Sequence, residues 1–204
     1  VDNTSALVVD LAHQNRIRRL LRRGATEGYA FWFGKANTPL IDALSQHSPF
    51  TELVIVDSDT QRVHIQRQKL DRAARLGKVS VHLADPGSLR APPYVAHRIF
   101  VEDELAIELW KKRDVASMQK IFASVRPYGG VLQLLTPGRG EELAEWLRSA
   151  KLEQADIEVD DEGVSLYRRG PLPGASDWTH QYGNIANTIK SDDQRVKLPL
   201  GVLW

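Results

Sequence analysis

Short apolar runs alternate with longer helical stretches along most of this 204-residue chain, and this alternation constrains the fold more than any other feature. The apolar runs are nearly continuous, as expected for parallel strands that helices bury on both faces. The stretches between them are long enough to serve as the crossover connections that parallel strands require. The pattern therefore predicts a three-layer α/β domain around one mostly parallel sheet.

The predicted sheet has seven strands, of which the last two form an antiparallel hairpin around the turn Asp160-Asp161-Glu162-Gly163. Strands are predicted over Tyr29–Phe33, Leu53–Val56, Val79–Leu83, Arg98–Val101, Val131–Leu135, Ile157–Val159 and Val164–Tyr167. Helices are predicted over Ala6–Arg23, Pro39–Gln46, Thr60–Leu76, Leu105–Val125 with a break near Arg113, and Glu141–Ala150. Periodicity is lost after residue 170. We expect one domain over residues 1–170 and a linker or docking segment over residues 171–204.

Charge gives no support for a nucleic-acid or membrane partner. The chain has 27 Lys and Arg against 26 Asp and Glu, so its formal net charge is only +1. Basic residues crowd the first and third predicted helices, but without interleaved aromatic residues we interpret them as solvated helix faces. Those of the third helix include Arg62, Arg67 and Lys69. No apolar run is long enough for a membrane span, so we expect neither kind of partner.

Several other kinds of chemistry lack the residues that they need. The chain has no cysteine, which excludes disulfides, thiolate zinc sites and cysteine nucleophiles. Its six histidines show neither His-x-His nor His-Glu-x-x-His spacing, so no metal site is predicted. Serine nucleophile elbows and phosphate-binding Gly-Lys-Ser/Thr loops are also missing from the sequence.

Polar residues follow the second, third and fourth predicted strands at the edge where ligands bind in doubly wound sheets. Asp57 and Ser58 follow the second strand, and Asp85 follows the third. A nucleoside would need an acid for its ribose hydroxyls and an acceptor for its adenine amino group, and Asp57 and Asp85 suit these roles. Glu102 follows the fourth strand and could act as a general base or bind an amine.

Two short motifs and the order of the elements resemble the class I S-adenosylmethionine-dependent methyltransferases. Val125-Arg126-Pro127-Tyr128-Gly129-Gly130-Val131 is similar to the turn that enters strand five of that family, and Leu89-Arg90-Ala91-Pro92-Pro93-Tyr94 to the stretch before strand four. The resemblance implies a Rossmann-like methyltransferase fold with S-adenosylmethionine as cofactor. It assigns cofactor-binding roles to Gly34, Ala36, Asp57, Ser58, Asp85 and Glu102.

The glycine-rich loop of that family is eroded in this sequence. The family pattern Asp/Glu-x-Gly-x-Gly-x-Gly becomes Trp32-Phe33-Gly34-Lys35-Ala36-Asn37-Thr38, which keeps one glycine of three. The side chains at Ala36 and Thr38 narrow the space for a ligand, and Trp32 replaces the acid that usually orders the loop. We therefore expect cofactor binding to be weakened at this loop.

The tail resembles the junction between a methyltransferase-like domain and a quinoprotein-type (PQQ-like) β-propeller. The similarity rests on residues 174–188, with Trp178-Thr179-His180 at their centre, and on Leu198–Trp204, which looks like an opening propeller strand. A propeller needs several four-stranded blades, so this chain does not contain one. The resemblance implies a β-propeller part of the same protein as partner, a periplasmic or secreted location, and Trp178, Tyr182 and Trp204 as aromatic anchors.

Two functions remain open from the sequence. One is a methyltransferase that binds S-adenosylmethionine through Gly34, Asp57 and Asp85. The other is a degenerate, non-catalytic structural or interaction module of a larger propeller protein, and the eroded loop favours this second hypothesis.

Overall fold

A computed structural model of the chain describes residues 11–22, 26–47, 49–89, 91–177, 179–181, 185–189 and 191–195. The strands are β1 (Tyr29–Phe33), β2 (Glu52–Asp57), β3 (Val79–Leu83), β4 (Ala96–Val101), β5 (Gly130–Leu135), β6 (Ala155–Asp160) and β7 (Gly163–Arg168). The helices are α1 (Leu11–Leu20), α2 (Pro39–His47), α3 (Thr60–Arg72), α4 (Asp103–Lys111), α5 (Val115–Ala123) and α6 (Gly140–Ser149).

The seven strands form one sheet in the order β3-β2-β1-β4-β5-β7-β6. Strands β1 to β5 are parallel to one another, and β7 pairs antiparallel with both β5 and β6. This arrangement confirms the predicted mostly parallel seven-stranded sheet with its C-terminal hairpin.

Helices cover both faces of the sheet because neighbouring strand residues point to opposite sides. Phe31 and Phe33 of β1 belong to the core cluster beneath α4, α5 and α6. Ala30 and Trp32 belong to the other cluster, beneath α1, α2 and α3. The apolar runs are thus buried on both faces, which gives the predicted three layers.

Two predicted helices differ from the observed ones at their ends. The predicted helix Ala6–Arg23 begins outside the described residues, and the apolar side chain of Leu11 is 65% exposed. Helix α3 ends at Arg72 instead of Leu76 because Ala74 takes a positive φ of 52° and Leu76 forms a bridge with Val79. The predicted break near Arg113 is confirmed, since this residue has a φ of 50° between α4 and α5.

A buried arginine fixes the end of α1 to the sheet. Arg98 of β4 is fully buried, and its Nη1 donates to the carbonyl of Leu20 at 2.6 Å and to Oε1 of Gln133 at 2.7 Å. Burial lowers the pKa of Arg98 to about 10. At the turn between β6 and β7, Glu162 accepts hydrogen bonds from Arg16 and Arg19 of α1. These contacts hold α1 beside the carboxyl ends of β1, β4 and β5.

The edge strand β3 is capped by a side chain of α3. Arg67 donates from Nε at 2.9 Å and from Nη2 at 2.6 Å to the carbonyl of Val81. β3 pairs only with β2 within the sheet, so Arg67 occupies a backbone acceptor at the free edge.

The chain divides into two compact units, Val1–Arg169 and Gly170–Trp204. The described part of the second unit contains no helix or strand, and it folds back on itself through hydrogen bonds from Gln194 to Gly174 and from Arg195 to Pro173. Trp178, Tyr182 and the predicted strand Leu198–Trp204 lie outside the described residues. None of the helices that the structure describes has both the length and the apolar character of a membrane span.

Candidate functional site

The sheet has one point at which the order of its strands reverses, and the candidate site lies there. The chain runs from β1 outward to β2 and β3, and then returns to the other side of β1 with β4 and β5. Loops from β1 and β4 therefore diverge at their carboxyl ends and leave a crevice, which is where doubly wound sheets bind ligands. Gly34 and Glu102, the residues that directly follow these two strands, pack against each other there, and Glu102 lines the crevice.

Gly34 is required by close packing against β4. Its φ is 129°, and a Cβ at this position would lie 2.4 Å from Cβ of Glu102. Its amide donates to the carbonyl of Val56 at 3.1 Å. The glycine that the loop retains is therefore explained by contacts within the chain.

Trp32 orders the loop in place of the expected acid. Its side chain is buried in the core, 6.0 Å from the ring of Phe100, and its indole Nε1 donates to the carbonyl of Lys35 at 3.1 Å. The Lys35 ammonium in turn binds the carboxylate of Glu104. The loop after β1 is thus held from both the core and the surface.

The two residues that replace loop glycines have structural roles. Ala36 is fully buried in the core beneath α2, and its amide donates to Oδ2 of Asp57 at 2.8 Å. The hydroxyl of Thr38 accepts from the amide of Ile41 at 3.3 Å and so caps the start of α2. Both residues thus take part in packing or hydrogen bonding within the chain.

Asp57 lies at the end of β2 and is 2% exposed. Its Oδ2 accepts from the Ala36 amide at 2.8 Å and from Nε of Arg62 at 2.7 Å. Its Oδ1 accepts from the Asp59 amide at 2.9 Å and from Nη2 of Arg62 at 2.7 Å. A carboxylate has about four lone-pair positions, and all of them are filled here.

The electrostatics of Asp57 follow from these contacts. Burial alone would raise the pKa of Asp57, but the hydrogen bonds from Arg62 and from the amides of Asp59 and Ala36 outweigh it and lower that pKa below its ordinary value. The carboxylate is therefore charged, and its charge is matched by a bidentate guanidinium of the same chain.

The other two predicted nucleoside contacts lie at the surface. Ser58 is exposed in the turn after β2. Asp85 is also exposed, and it organises the turn after β3, where its Oδ1 accepts from the Gly87 amide at 3.2 Å and its carbonyl accepts from the amides of Ser88 and Leu89. The structure thus brings Gly34, Ala36 and Asp57 together and leaves Asp85 as a turn residue.

Glu102, at the end of β4, is the buried acid of the crevice. It is 9% exposed, and burial, together with the neighbouring Asp103 and Glu104, raises its pKa to about 7, although Lys35 opposes the shift. A carboxyl group with such a pKa can exchange a proton near neutral pH. Acids in the first turn of a helix interact favourably with its free amides. In α4 this acid is Asp103, whose Oδ1 accepts from the amide of Glu104.

A crevice of about 250 Å³ opens beside Glu102. Its walls come from the carboxyl ends of β1, β4 and β5, from the start of α2 and from α1, which contributes His13 and Arg16. Apolar surface is supplied by Leu40, Leu135 and Pro137. The crevice thus combines a buried acid with apolar walls.

Sequence reasoning missed Arg62 as the partner of Asp57. The third helix was interpreted as a solvated basic face, but Arg62 binds Asp57, Arg67 binds the Val81 carbonyl and Lys69 binds Asp42. The available signal was the spacing of five residues between Asp57 and Arg62, which places an arginine on the first turns of the helix that follows an acidic strand end.

Among the residues that the structure describes, no three His, Asp or Glu side chains are grouped so that they could hold a metal ion. The prediction that the site needs no metal concerns the whole chain and stays a prediction.

His180 belongs to the second unit. Its Nδ1 lies 2.9 Å from the hydroxyl oxygen of Thr179.

No protein-family model and no curated protein matches this sequence. Solved structures do resemble it. A protein of Methanococcus maripaludis described as a candidate S-adenosyl-L-methionine-dependent methyltransferase aligns with a TM-score of 0.58 and 13% identity, over 76% of this chain and 82% of that one. The N-methyltransferase NodS of Bradyrhizobium japonicum WM9 aligns with a TM-score of 0.56 and 15% identity, over 78% of this chain and 95% of that one.

The [4+2]-cyclase SpnF also aligns, with a TM-score of 0.56 and 15% identity, over 71% of this chain and 58% of that one. A cyclase among the neighbours shows that function has to be argued from the site. At these levels of identity the comparisons concern architecture alone. The chain has the class I S-adenosylmethionine-dependent methyltransferase fold.

Proposed function

We propose that this chain is a degenerate, non-catalytic methyltransferase-like module, in which its own side chains occupy the nucleoside-binding position. The observation that carries the proposal is the Asp57 carboxylate, whose acceptor positions already hold four donors of the chain. A ribose diol would have to displace Arg62 from it. The residues as arranged therefore do not fit S-adenosylmethionine.

The loop after β1 supports the same proposal. Ala36 is fully buried, so its methyl group fills space beneath the loop, and its amide is committed to Asp57. Trp32 fixes the backbone of Lys35 from the core. A glycine loop lets a ligand approach the backbone closely. Here the side chains of Ala36 and Trp32 pack against the loop, so the ligand loses this approach.

The alternative function is an active S-adenosylmethionine-dependent methyltransferase of unknown acceptor. One observation favours it. Glu102 lines an open crevice, and its raised pKa suits proton transfer near neutral pH. In this alternative, Arg62, whose side chain is 31% exposed, would turn into solvent and free Asp57 when the cofactor binds.

Calorimetric titration with S-adenosylhomocysteine separates the two functions. We expect no binding by the wild-type chain, and measurable binding after Arg62→Met is combined with Ala36→Gly and Thr38→Gly. Arg72→Met is the matched control, because Arg72 is an exposed residue of the same helix. Micromolar binding by the wild type that Asp57→Ala abolishes would overturn the proposal.

The Arg62 substitution leaves a buried carboxylate with fewer donors, which destabilises proteins by about 3 kcal/mol. Circular dichroism therefore accompanies each titration. Arg62→Gln, which keeps one donor group, is the second variant in case Arg62→Met does not fold.

We further propose that the module belongs to a larger protein with a β-propeller part, located in the periplasm or secreted. The support is the resemblance of residues 174–188 to a junction motif, of which the structure describes residues 174–177, 179–181 and 185–188. Immunoblotting of fractionated cells that make the protein tests both the size of the whole protein and its location. The expected band lies well above the 22.9 kDa of this chain and outside the cytoplasmic fraction. A cytoplasmic band at the mass of the chain would contradict the proposal.

A further inference from the structure

The two edges of the sheet differ in whether a side chain binds their backbone. At one edge the Arg67 guanidinium binds the Val81 carbonyl of β3. At the other edge, within the described residues, β6 pairs with β7 alone, and this antiparallel pairing covers the whole length of β6. An edge strand of this kind presents a row of backbone donors and acceptors with which another extended chain can pair.

The register of the hairpin identifies the backbone groups of β6 that point outward. The turn between β6 and β7 has two residues, so Asp160 and Gly163, the pair beside it, are hydrogen-bonded to each other. Hydrogen-bonded and non-hydrogen-bonded pairs alternate along antiparallel strands, so Ile157 and Val159 direct their amides and carbonyls away from β7. In the part of the chain that the structure describes, neither residue has a backbone hydrogen bond beyond those of the sheet.

The two faces of β6 differ in chemistry. Its apolar residues pack against the core cluster beneath α6, and its acids Asp156, Glu158 and Asp160 alternate with them, so the acids lie on the opposite face. Arg169 binds Asp156 and Glu158, but the side chain of Asp156 is still 64% exposed. Residues 153–162 hold six acids and no Lys or Arg. This edge of the sheet therefore carries negative charge along one face.

The charge determines which kind of chain the edge can accept. If β6 paired antiparallel with a second copy of itself, the acids of one strand would lie opposite the same acids of the other, which destabilises strand pairing. A strand with Lys or Arg at every second position would instead place opposite charges across the pair. The residues between these basic ones would lie on the apolar side of β6.

We propose that the outer edge of β6 binds an extended basic segment of another protein, which joins the sheet as a further strand. The backbone of Ile157 and Val159 holds the segment, and the three acids of β6 select Lys or Arg at alternate positions. This inference goes beyond the proposed function and does not depend on it, because four strands separate β6 from β2, which carries Asp57.

The probe for the test is the synthetic peptide Thr-Lys-Val-Lys-Val-Lys-Thr, acetylated and amidated at its ends and titrated calorimetrically into the full chain at low ionic strength. We expect saturable binding with a dissociation constant on the order of 0.1 mM, because a short flexible peptide loses conformational entropy when it is ordered. The same peptide with Glu in place of Lys should bind more weakly by roughly tenfold or more, since like charges then face each other.

Two further peptides distinguish strand addition from general attraction between charges. The first is N-methylated along its central Val-Lys-Val, so it keeps the charges but lacks the backbone donors that a strand needs. The second, Thr-Val-Lys-Lys-Lys-Val-Thr, keeps the composition but loses the alternation. Both should bind more weakly by roughly tenfold or more, because one loses backbone hydrogen bonds and the other cannot place all its Lys on the acidic face.

Hydrogen exchange supplies a readout at the residues themselves. The alternating Lys peptide at saturation should slow exchange of the Ile157 and Val159 amides several-fold, because these outward donors become hydrogen-bonded. Exchange of the amides of β3, at the opposite edge, should stay unchanged.

The double variant Asp156→Asn, Glu158→Gln should weaken binding of the alternating Lys peptide roughly tenfold, because it removes two of the three charges that face the peptide. The matched control is Glu141→Gln with Glu145→Gln, which makes the same change of charge at two exposed acids of α6 and should leave binding unchanged. The ion pairs of Asp156 and Glu158 with Arg169 lie at the surface and contribute little to stability, so the double variant should fold, and a thermal melt verifies this.

Absence of saturable binding of the alternating Lys peptide up to about 5 mM, well above the expected constant, would overturn the inference. Equal binding of the N-methylated or the rearranged peptide would show charge attraction without strand addition and would overturn it as well. The same conclusion would follow from undiminished binding by the double variant or from unchanged exchange at Ile157 and Val159.

Discussion

At the scale of single residues, the pKa values of two buried acids in this domain are shifted in opposite directions. Asp57 is surrounded by donors, and its pKa is lowered, whereas Glu102 lies beside other acids, and its pKa is raised to about 7. The difference arises from neighbours, because both side chains are at least nine-tenths buried. Position at a strand end therefore does not by itself determine what a carboxylate can do.

The raised pKa of Glu102 predicts a loss of stability as pH rises. Its ordinary pKa is 4.5, so between pH 4.5 and 7 the unfolded chain releases the proton while the folded chain keeps it. The free energy of unfolding should therefore fall across this range, by roughly 3 kcal/mol at most. Glu102→Gln should remove this decline, which urea titrations at pH 5 and pH 8 would measure.

The comparison between the wild type and Glu102→Gln separates the contribution of Glu102 to the pH dependence of stability from that of other groups. His97 acts in the opposite direction, because burial lowers its pKa and its contribution to stability is lost as pH falls through its ordinary value of 6.5. This contribution is common to both proteins and cancels. A stability difference that is the same at both pH values would contradict the assignment of a raised pKa to Glu102.

Sequence reasoning located Asp57 but not its partner, and the reason is physical. An acid at the end of an apolar run is recognisable because strand ends are set by local composition. The pairing with Arg62 depends on the path of the turn over Ser58 and Asp59, which composition does not specify. The indole contact of Trp32 with Lys35 was missed for the same reason, since it needs the three-dimensional course of the loop.

At the scale of elements, α1 is held over the crevice by contacts at two places. Arg98 binds the carbonyl at its end, and Glu162 binds Arg16 and Arg19 on its exposed side. The sequence predicted a helix here but not what it packs against, because the partners lie 78 and more residues away.

Weakening the second contact should loosen α1. We expect Glu162→Gln to increase amide hydrogen exchange over residues 11–20 several-fold while exchange in β1 and β4 stays unchanged, because local opening of a helix needs less free energy than global unfolding. Asp161→Asn, at the neighbouring turn position, is the control. Unaltered exchange in α1 would show that Arg98 alone anchors the helix.

At the scale of the whole molecule, the chain separates into Val1–Arg169 and Gly170–Trp204. The complete sheet and both core clusters belong to the first unit. The alternation of strands and helices predicted this architecture, because strands that are buried on both faces of a sheet need continuous apolar runs. The tail has no such pattern, so its β-propeller partner is proposed from a resemblance alone.

A chain truncated after Arg169 should therefore fold without the tail. We expect cooperative thermal unfolding with a midpoint within about 5 °C of the full chain, since no described residue of the second unit belongs to either core cluster. Scanning calorimetry of the two proteins measures this. Loss of the cooperative transition in the truncated chain would mean that the tail completes the fold.

The contact of Arg67 with Val81 has a consequence for how this protein behaves at high concentration. A sheet can extend when the backbone of an edge strand hydrogen-bonds to another extended peptide. At β3 the Arg67 guanidinium already binds the Val81 carbonyl, which such a peptide would need as an acceptor. Concentrated solutions of the domain should for that reason resist the fibrous self-association to which uncovered sheet margins are prone.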